Sequence, residues 1–494
     1  MAEVELKFDL PAEAHAAFRR LAPLAAATAR TTRLHALYFD TPELELRARG
    51  MSLRLRRSGR RWVQTLKAGA SGAGGLHARE EWEFDRPRPA LDLVLFAATP
   101  LGDLPHLAQR LGEIFHVDMR RTTWEIEVSP GNRVEVALDH GKVSRAEQTE
   151  PVAEVEIESV AGDPLAVFEL AAQLVDHAPL RPSAVTKAQR GYRLARGEAS
   201  APVKASQIEL SAGQSPGEAA RTMVAAALEQ LQANEPGVLA AREPEYLHQF
   251  RVALRRLRSA LRVFRTRIEP EFEAQVRVEL RWIAQQTSPA RDWDVLANQT
   301  LPAILKAHGN LRAARSMRSR VAVRRKDARA RLRESLLSPR YARLLLELAR
   351  WLATAAPEAP DAAEPLAGFA ARVVAKGHKR LVAGARQLSA LAPAERHQLR
   401  LEAKRLRYAL EGFEALLRRR RFAAYREALS EIQDDLGRAN DAAVAMRLLD
   451  EIALPPDLGE FMRGWLAAET NSSIGLLERH EQRLAAAQPP RARD

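Results

Sequence analysis

The sequence predicts an α+β chain of at least two domains, a strand-rich one followed by an all-helical one. Three observations carry this. The chain has 494 residues, more than a single hydrophobic core serves. Its texture changes near residue 200, from short alternating segments to long Ala/Leu/Arg/Glu-rich ones. Its charge changes at the same place. Residues 1–200 hold 27 Lys+Arg against 28 Asp+Glu, and the remainder holds 49 against 35. The net charge of +13 therefore belongs to the second part, which points to a polyanionic partner there. The expected division is a domain over 1–200, a linker over 201–211 and a helical domain over 212–488.

Composition excludes several classes. There is no cysteine, so disulfides and thiolate metal sites are out and any metal must be held by oxygen or imidazole. No apolar run approaches the ~20 residues of a membrane span. The first residues lack a basic-then-apolar signal pattern, and a cytoplasmic location is expected.

The first part contains eight strand-like segments: "VELKFDL", "LHALYFD", "MSLRLRRS", "RWVQTLKAG", "AREEWEFD", "RRTTWEIEVS", "RVEVALDHGKV" and "VAEVEIESV". Turn material such as "GASGAGG", "SPGN" and "AGDP" separates several of them, and helical patches are expected at roughly 11–22, 101–115 and 164–177. Each strand is amphipathic, with a charged polar face. Strand one offers Glu3, Glu5 and Lys7. The next ones offer Arg54 and Arg56, then Thr65 and Lys67, then Arg79, Glu81 and Glu83. Arg121 follows, with its parity against Arg120 open. Glu135 and Asp139 come next, then Glu154, Glu156 and Glu158, and "TKAQRGY" supplies Lys187 and Arg190.

An ordinary sheet with one solvated face fits this alternation. A barrel with a polar interior fits two further features: carboxylates collect on some strands and guanidinium groups on others, and the apolar faces need cover from outside. Such an interior suits a chain of phosphates. Arginine and lysine would hold phosphate oxygens. The carboxylates could meet phosphate only through a divalent cation, Mg²⁺ or Mn²⁺, which prefers oxygen ligands and keeps water.

These segments carry a family resemblance. Glu3-x-Glu5-x-Lys7, "YFDT" at 38–41, "SLRLR" at 52–56, "TLK" at 65–67, "EVALD" at 135–139, "EVEIE" at 154–158 and "SAVTKAQRGY" at 183–192 resemble the CYTH domain, the triphosphate tunnel metalloenzyme family, over about 1–196. The resemblance implies an eight-stranded antiparallel β-barrel tunnel and reaction at a triphosphate. It implies that Glu3 and Glu5 bind the activating metal, and that Asp139, Glu154 and Glu156 bind or position a metal and the attacking water. Lys7, Arg54, Arg56, Lys67, Arg121 and Lys187, with Arg190 near them, would clamp the phosphates.

The second part contains an internal repeat. His248, Arg251, Arg255, Arg256, Arg258 and Phe264 recur as His397, Arg400, Lys404, Arg405, Arg407 and Phe413, and Gln286, Arg291 and Asp294 recur as Gln433, Arg438 and Asp441. Two helical bundles related by a pseudo-twofold axis are expected, with helix breaks at Pro270, Pro289, Pro302 and Pro339. On a helical wheel His248, Arg251, Arg255 and Arg258 fall within about 80°, and Arg262 extends the stripe. No acid lies between His248 and Arg265, whereas a solvated helix face mixes both signs. His397, Arg400, Lys404 and Arg407 repeat the stripe, and Arg372, Lys376 and Lys379 fall near a further row. "LHQFRVALRRLRSALRVF", "ARDWDVL", "HQLRLEAKRLRYALEGF" and "IQDDLGRANDAAV" resemble the CHAD domain over about 212–488. That implies binding of inorganic polyphosphate, on granules among other places, through these residues.

The reading that joins the two is an inorganic triphosphatase fused to a polyphosphate-binding module. Its rivals are a thiamine triphosphatase, a class IV adenylyl cyclase-like enzyme, and a non-catalytic binder of polyphosphate or RNA. RNA would want exposed aromatics for stacking, which the basic stripes lack.

Overall fold

A computed structural model describes residues 3–491 apart from 70–74, 199, 310, 355–363, 387, 453, 455 and 476. Its α+β chain forms two compact units, Met1–Ala201 with Leu336–Ala355, and Pro202–Ser335 with Ala356–Asp494.

The first unit is built on one antiparallel sheet of nine strands: β1 Glu3–Asp9, β2 Arg30–Asp40, β3 Met51–Ser58, β4 Arg61–Ala68, β5 Leu76–Arg86, β6 Gly112–Ser129, β7 Asn132–Arg145, β8 Gln148–Ala161 and β9 Arg181–Pro182. Their order is β5-β4-β3-β2-β6-β7-β8-β1-β9, and β1 also pairs with β5. That last ladder is short, from Glu3 opposite Arg79 to Leu6 opposite Leu76. Beyond it β1 pairs instead with β9, at Phe8 and Asp9. Nine strands stand where eight were expected, because a two-residue strand after residue 180 carries no readable alternation. The expected helix at 101–115 is also replaced: 105–110 is a 3₁₀ segment and β6 starts at Gly112. Turn chemistry fixes the long hairpins. Between β6 and β7, Pro130 and Gly131 make the corner, and Gly131 has φ +80°, which a residue with a Cβ resists.

Two helices cover the apolar face, α1 Ala166–Val175 and α8 Pro339–Ala353, and α2 Lys187–Arg196 lies on the other; the numbering takes helices of eight or more residues along the chain. Leu6, Phe8, Val136, Leu138, Val155 and Ile157 pack with Val167, Phe168, Leu170 and Leu174 of α1, and Ala342, Leu346 and Ala349 of α8 join the same cluster. Arg343 Nε of α8 donates to Asp176 Oδ1 at 2.7 Å, just past α1. A helix from the middle of the helical stretch thus packs on the sheet, which no local sequence signal indicates.

The polar face is closed at one end by α2. Thr186 caps the helix, its side chain accepting from Gln189 N while the Gln189 side chain accepts from Thr186 N. Ala188 and Tyr192 then pack on Tyr38, Phe115, Val117, Val143 and Val152. A Cβ on Gly191 would lie 2.1 Å from the Phe115 ring, so only glycine lets the helix seat there. Gly191→Ala is expected to destabilise this unit by about 1–3 kcal/mol through overpacking, read as a lower midpoint in thermal unfolding. An unchanged midpoint would contradict the close seating.

The second unit is helical among the described residues: α3 Pro216–Leu239, α4 Pro244–Val263, α5 Pro270–Val295, α6 Leu301–His308, α7 Leu311–Leu336, α9 Leu366–Gly384, α10 Pro393–Gly412, α11 Arg419–Asp450, α12 Pro456–Gly475 and α13 Leu477–Ala486. The repeat is visible in the backbone. α4 and α10 each run 20 residues from a proline, end on Phe264 and Phe413 at nearly equal φ and ψ, and lead into a one-turn 3₁₀ helix. The two phenylalanine rings meet edge-on at 5.8 Å, and Phe264 stacks on Phe369 at 5.1 Å. Pro289 does not break a helix as expected. It lies inside α5, where the packing of Ile283, Ala290 and Trp293 overrides the missing amide hydrogen.

Candidate functional site

Strand register assembles the charged face row by row. Arg121 of β6 lies opposite Asp139 of β7, Asp139 opposite Glu154 of β8, and Glu154 opposite Asp9 of β1. The neighbouring row sets Glu156 opposite Lys7, and the next sets Glu135 opposite Glu158 and Glu158 opposite Glu5. On β2 to β5, Tyr38, Arg54, Thr65 and Glu83 form one row and Lys67 faces Glu81. Side chains two apart share a face, so all of these point the same way. The parity question is settled geometrically: Arg121 is on this face and Arg120 is exposed on the other.

At the centre three carboxylates meet three cations. One oxygen each from Asp139, Glu154 and Glu156 lies within 4.8 Å of the others. Lys187 Nζ, delivered by the first residue of α2, is 2.7 Å from Asp139 Oδ2 and 2.8 Å from Glu156 Oε1, and it also donates to Glu154 Oε1. Lys7 Nζ is 2.7 Å from Glu156 Oε1 and 3.4 Å from Glu5 Oε1. Arg121 grips Asp139 with two hydrogen bonds, Nε to Oδ1 at 2.8 Å and Nη2 to Oδ2 at 2.6 Å, and donates also to Glu156. Asp139 and Glu154 are completely buried.

Titration follows from burial set against these contacts. Burial would lower Lys7 and Arg121, yet the carboxylates around them hold both well above their ordinary values. Lys187 is likewise raised against its burial by Asp139, Glu154 and Glu156. Burial would raise Glu156, but Lys187, Lys7 and Arg121 hold it well below the carboxylate range. Asp139 is lowered against burial by Lys187 and Arg121. In Glu154 burial prevails and its carboxyl is raised, against Lys187 and Lys7. Its Oε2 is buried and makes no hydrogen bond among the described residues.

The remaining expected residues take these places. Arg54 is 3.2 Å from Glu81 and 3.3 Å from Glu83, Arg56 is 3.4 Å from Glu83, and Lys67 is 2.6 Å from Glu81. Arg56 is pushed down to about 10, first by Arg54 and then by burial, with Arg121 adding to it. The cations of β3 and β6 therefore feel each other across the curled sheet. Arg190 sits at the rim, 3.0 Å from Asp9 and 3.1 Å from Glu150. The side chain of Glu3 lies outside the described residues. Asp9 escaped the sequence reading, although it continues the odd-numbered alternation of β1. It receives Arg181 and Arg190.

The three central carboxylates also set an acid limit to stability. Glu156 and Asp139 have lowered values, so the unfolded chain binds more protons at acid pH. Their contribution is present above the ordinary carboxylate pKa of 4.5 for Glu156 and is lost as pH falls through the folded values. Glu154, raised, acts in the opposite sense. Glu156→Gln is expected to cost about 3–5 kcal/mol at pH 7 by leaving buried cations uncompensated, and to flatten the fall of the urea midpoint below pH 4.5. Parallel pH profiles for the two proteins would contradict this.

The second unit gathers cations with few acids. His248, half-buried on α4, is pushed down to about 4, first by burial and then by Arg291 of α5, so it is neutral at pH 7. Arg251 donates to Thr287 Oγ1 at 2.5 Å and Ser288 Oγ at 3.1 Å, and is pushed down to about 10 by burial and Arg255. Arg258 is lowered by burial and by Arg281, Arg405 and Arg262; Arg262 by burial and by Arg405 and Arg380, among others. Lys404 of α10 is pushed down to about 6, first by burial and then by Arg400 and Arg255. The α4 and α10 stripes therefore face each other. Arg400 is 3.8 Å from Asp441, Arg407 is 3.4 Å from Glu411, and exposed His397 is 3.2 Å from Asn440. Arg372 points elsewhere, at Glu364 2.7 Å away, while Lys376 and Lys379 are exposed. From α9 it is Arg380 that bears on the stripe, and Arg291 and Arg281 join from α5; the first of these lies one residue past the expected row. Asp294 receives Arg325 and Arg329 of α7.

Comparison with known proteins also divides the chain near residue 200, with 336–355 of the first unit falling in the second match. The CYTH domain model matches residues 1–192 and the CHAD domain model matches 222–450. Over 160 residues the chain is 31% identical to the inorganic triphosphatase of Haemophilus influenzae, a match covering 32% of this chain and 44% of that protein. The chain thus spans less than half the length of that curated relative. The crystal structure of the CHAD domain from Ricinus communis is 34% identical, with a TM-score of 0.54, covering 60% of this chain and all of that one. The chain is a CYTH domain fused to a CHAD domain.

Proposed function

We propose that the CYTH part hydrolyses inorganic triphosphate with a bound divalent cation, Mg²⁺ or Mn²⁺, and that the CHAD part binds inorganic polyphosphate. The observation that carries the first half is the enclosed set of Asp139, Glu154 and Glu156 ringed by Lys7, Arg121 and Lys187. The donor set fits a hard cation: carboxylate oxygens close enough to share one ion, with Glu154 Oε2 buried and unpartnered. Glu5, and Glu3 beside it on β1, would complete the acidic wall. The cation, when bound, supplies charge neutralisation between that wall and the phosphates and polarises a water.

This chain's own residues do the rest. Lys7, Arg54, Arg56, Lys67, Arg121 and Lys187 hold phosphate oxygens, with Arg190 at the rim, in the space walled by the sheet where β1 bonds β5. Glu154, whose carboxyl is raised by burial, accepts the proton of the attacking water at Oε2. Positioning and charge neutralisation are most of what phosphoryl transfer needs. The inorganic triphosphatase relative supports the substrate choice over thiamine triphosphate and ATP. In the CHAD part, the α4 and α10 stripes would hold a linear polyanion between them, a reading supported by the mutual effect of Arg255, Arg400 and Lys404. The expected setting is the cytoplasm, polyphosphate granules included; no helix among the described residues is long and apolar enough to cross a membrane.

Phosphate release from triphosphate, ATP and thiamine triphosphate, with Mg²⁺ and with chelator, tests the first half. Triphosphate should be preferred and chelator should abolish release, and Glu154→Gln should lower it by about 10²–10³-fold. Chelator-resistant release, or preference for an organic triphosphate, would overturn it. For the second half, the Arg255→Ala, Lys404→Ala double variant of the full chain should bind polyphosphate more weakly and with a shallower salt dependence. RNA displacing polyphosphate from the wild-type chain at physiological salt would contradict the choice of ligand.

A further inference from the structure

The same ammonium group touches all three central carboxylates. Lys187 Nζ reaches Asp139 Oδ2, Glu154 Oε1 and Glu156 Oε1, one oxygen of each carboxylate on which a shared cation would draw. Hard divalent cations sit about 2.0–2.6 Å from carboxylate oxygens, so the ammonium and the metal cannot hold those three atoms together. Charge says the same. Lys7, Lys187 and Arg121 offset most of the charge of the three carboxylates and of Glu5, 3.4 Å from Lys7, which reduces the attraction left for a cation. A triphosphate alters both conditions, because it offers these cations new partners.

We infer that Lys187 is a metal-gating residue: in the substrate-free protein its ammonium occupies the cation position, and it moves to a phosphate oxygen when triphosphate arrives. This rests on the triphosphatase reading above. The tether allows the exchange. Lys187 is the first residue of α2, whose start is fixed by the Thr186 and Gln189 caps. One turn on, Arg190 is fixed by Asp9 and Glu150. The helix stays while a four-carbon stem swings. Metal and anion then bind cooperatively, and by linkage each tightens the other by the same factor.

Calorimetric titration of Mg²⁺ into the full-length protein tests this, with and without saturating imidotriphosphate, whose nitrogen bridges resist hydrolysis. Metal held by the anion in solution is measured separately and subtracted. The wild-type protein is expected to bind Mg²⁺ at least tenfold more tightly with the anion than without it. Lys187→Met should bind Mg²⁺ more tightly than wild type when the anion is absent, and should lose most of the anion's effect. If the variant fails to fold, the wild-type comparison alone can still overturn the gate. Equal Mg²⁺ affinity with and without anion, in a protein that still hydrolyses triphosphate, would overturn the gate and leave the function standing. No uptake of Mg²⁺ under either condition would overturn both.

Discussion

Enclosing opposite charges together is the constraint on which the CYTH part is organised. Three buried carboxylates without partners would cost several kcal/mol each. Lys7, Arg121 and Lys187 make the burial tolerable, and each arrives from a different element: β1, β6 and the start of α2. The fold around them follows from this need. Register aligns the rows, α1 and α8 take up the apolar faces outside, and α2 plugs one end while carrying the third cation. The acidic and basic groups are useful for the reason that they are expensive. By the proposed reading, such a site would trade internal pairs for a cation and an anion arriving together.

The CHAD part solves the opposite problem. Its stripes have few acids to balance them, and the consequence is visible in titration. Arg251 is pushed down to about 10 and Lys404 to about 6, both first through burial and then through neighbouring cations. Like charges are held together by an apolar core whose central contact is the ring cluster of Phe264, Phe369 and Phe413. A polyanion in such a place would relieve repulsion as well as gain attraction.

Alternation made most of the CYTH site legible in the sequence. A period of two puts Glu5 and Lys7 on one face whatever the sheet does next, and the same holds for Arg54 with Arg56 and for Glu154 with Glu156. What it left open was decided by pairing. Arg120 and Arg121 are distinguishable only because Arg121 stands opposite Asp139. Asp9 continues the alternation of Glu5 and Lys7, but its role at the rim comes from Arg181 and Arg190, which arrive from far along the chain. The placement of α8 on the sheet, and of Pro289 inside α5, are tertiary decisions that override local propensity. In the helical part the repeat located both stripes, but which bases of α9 bear on them depends on the helix's rotation, and Arg380 is one that the sequence reading did not name.

Anomalous X-ray scattering from crystals grown with Mn²⁺ and imidotriphosphate tests the central claim most directly, because it locates the metal and the lysine in one map. The account predicts a Mn²⁺ peak among Asp139, Glu154 and Glu156, with Lys187 Nζ on a phosphate oxygen. A peak elsewhere on the sheet, or Lys187 still among the three carboxylates with the anion bound, would contradict it.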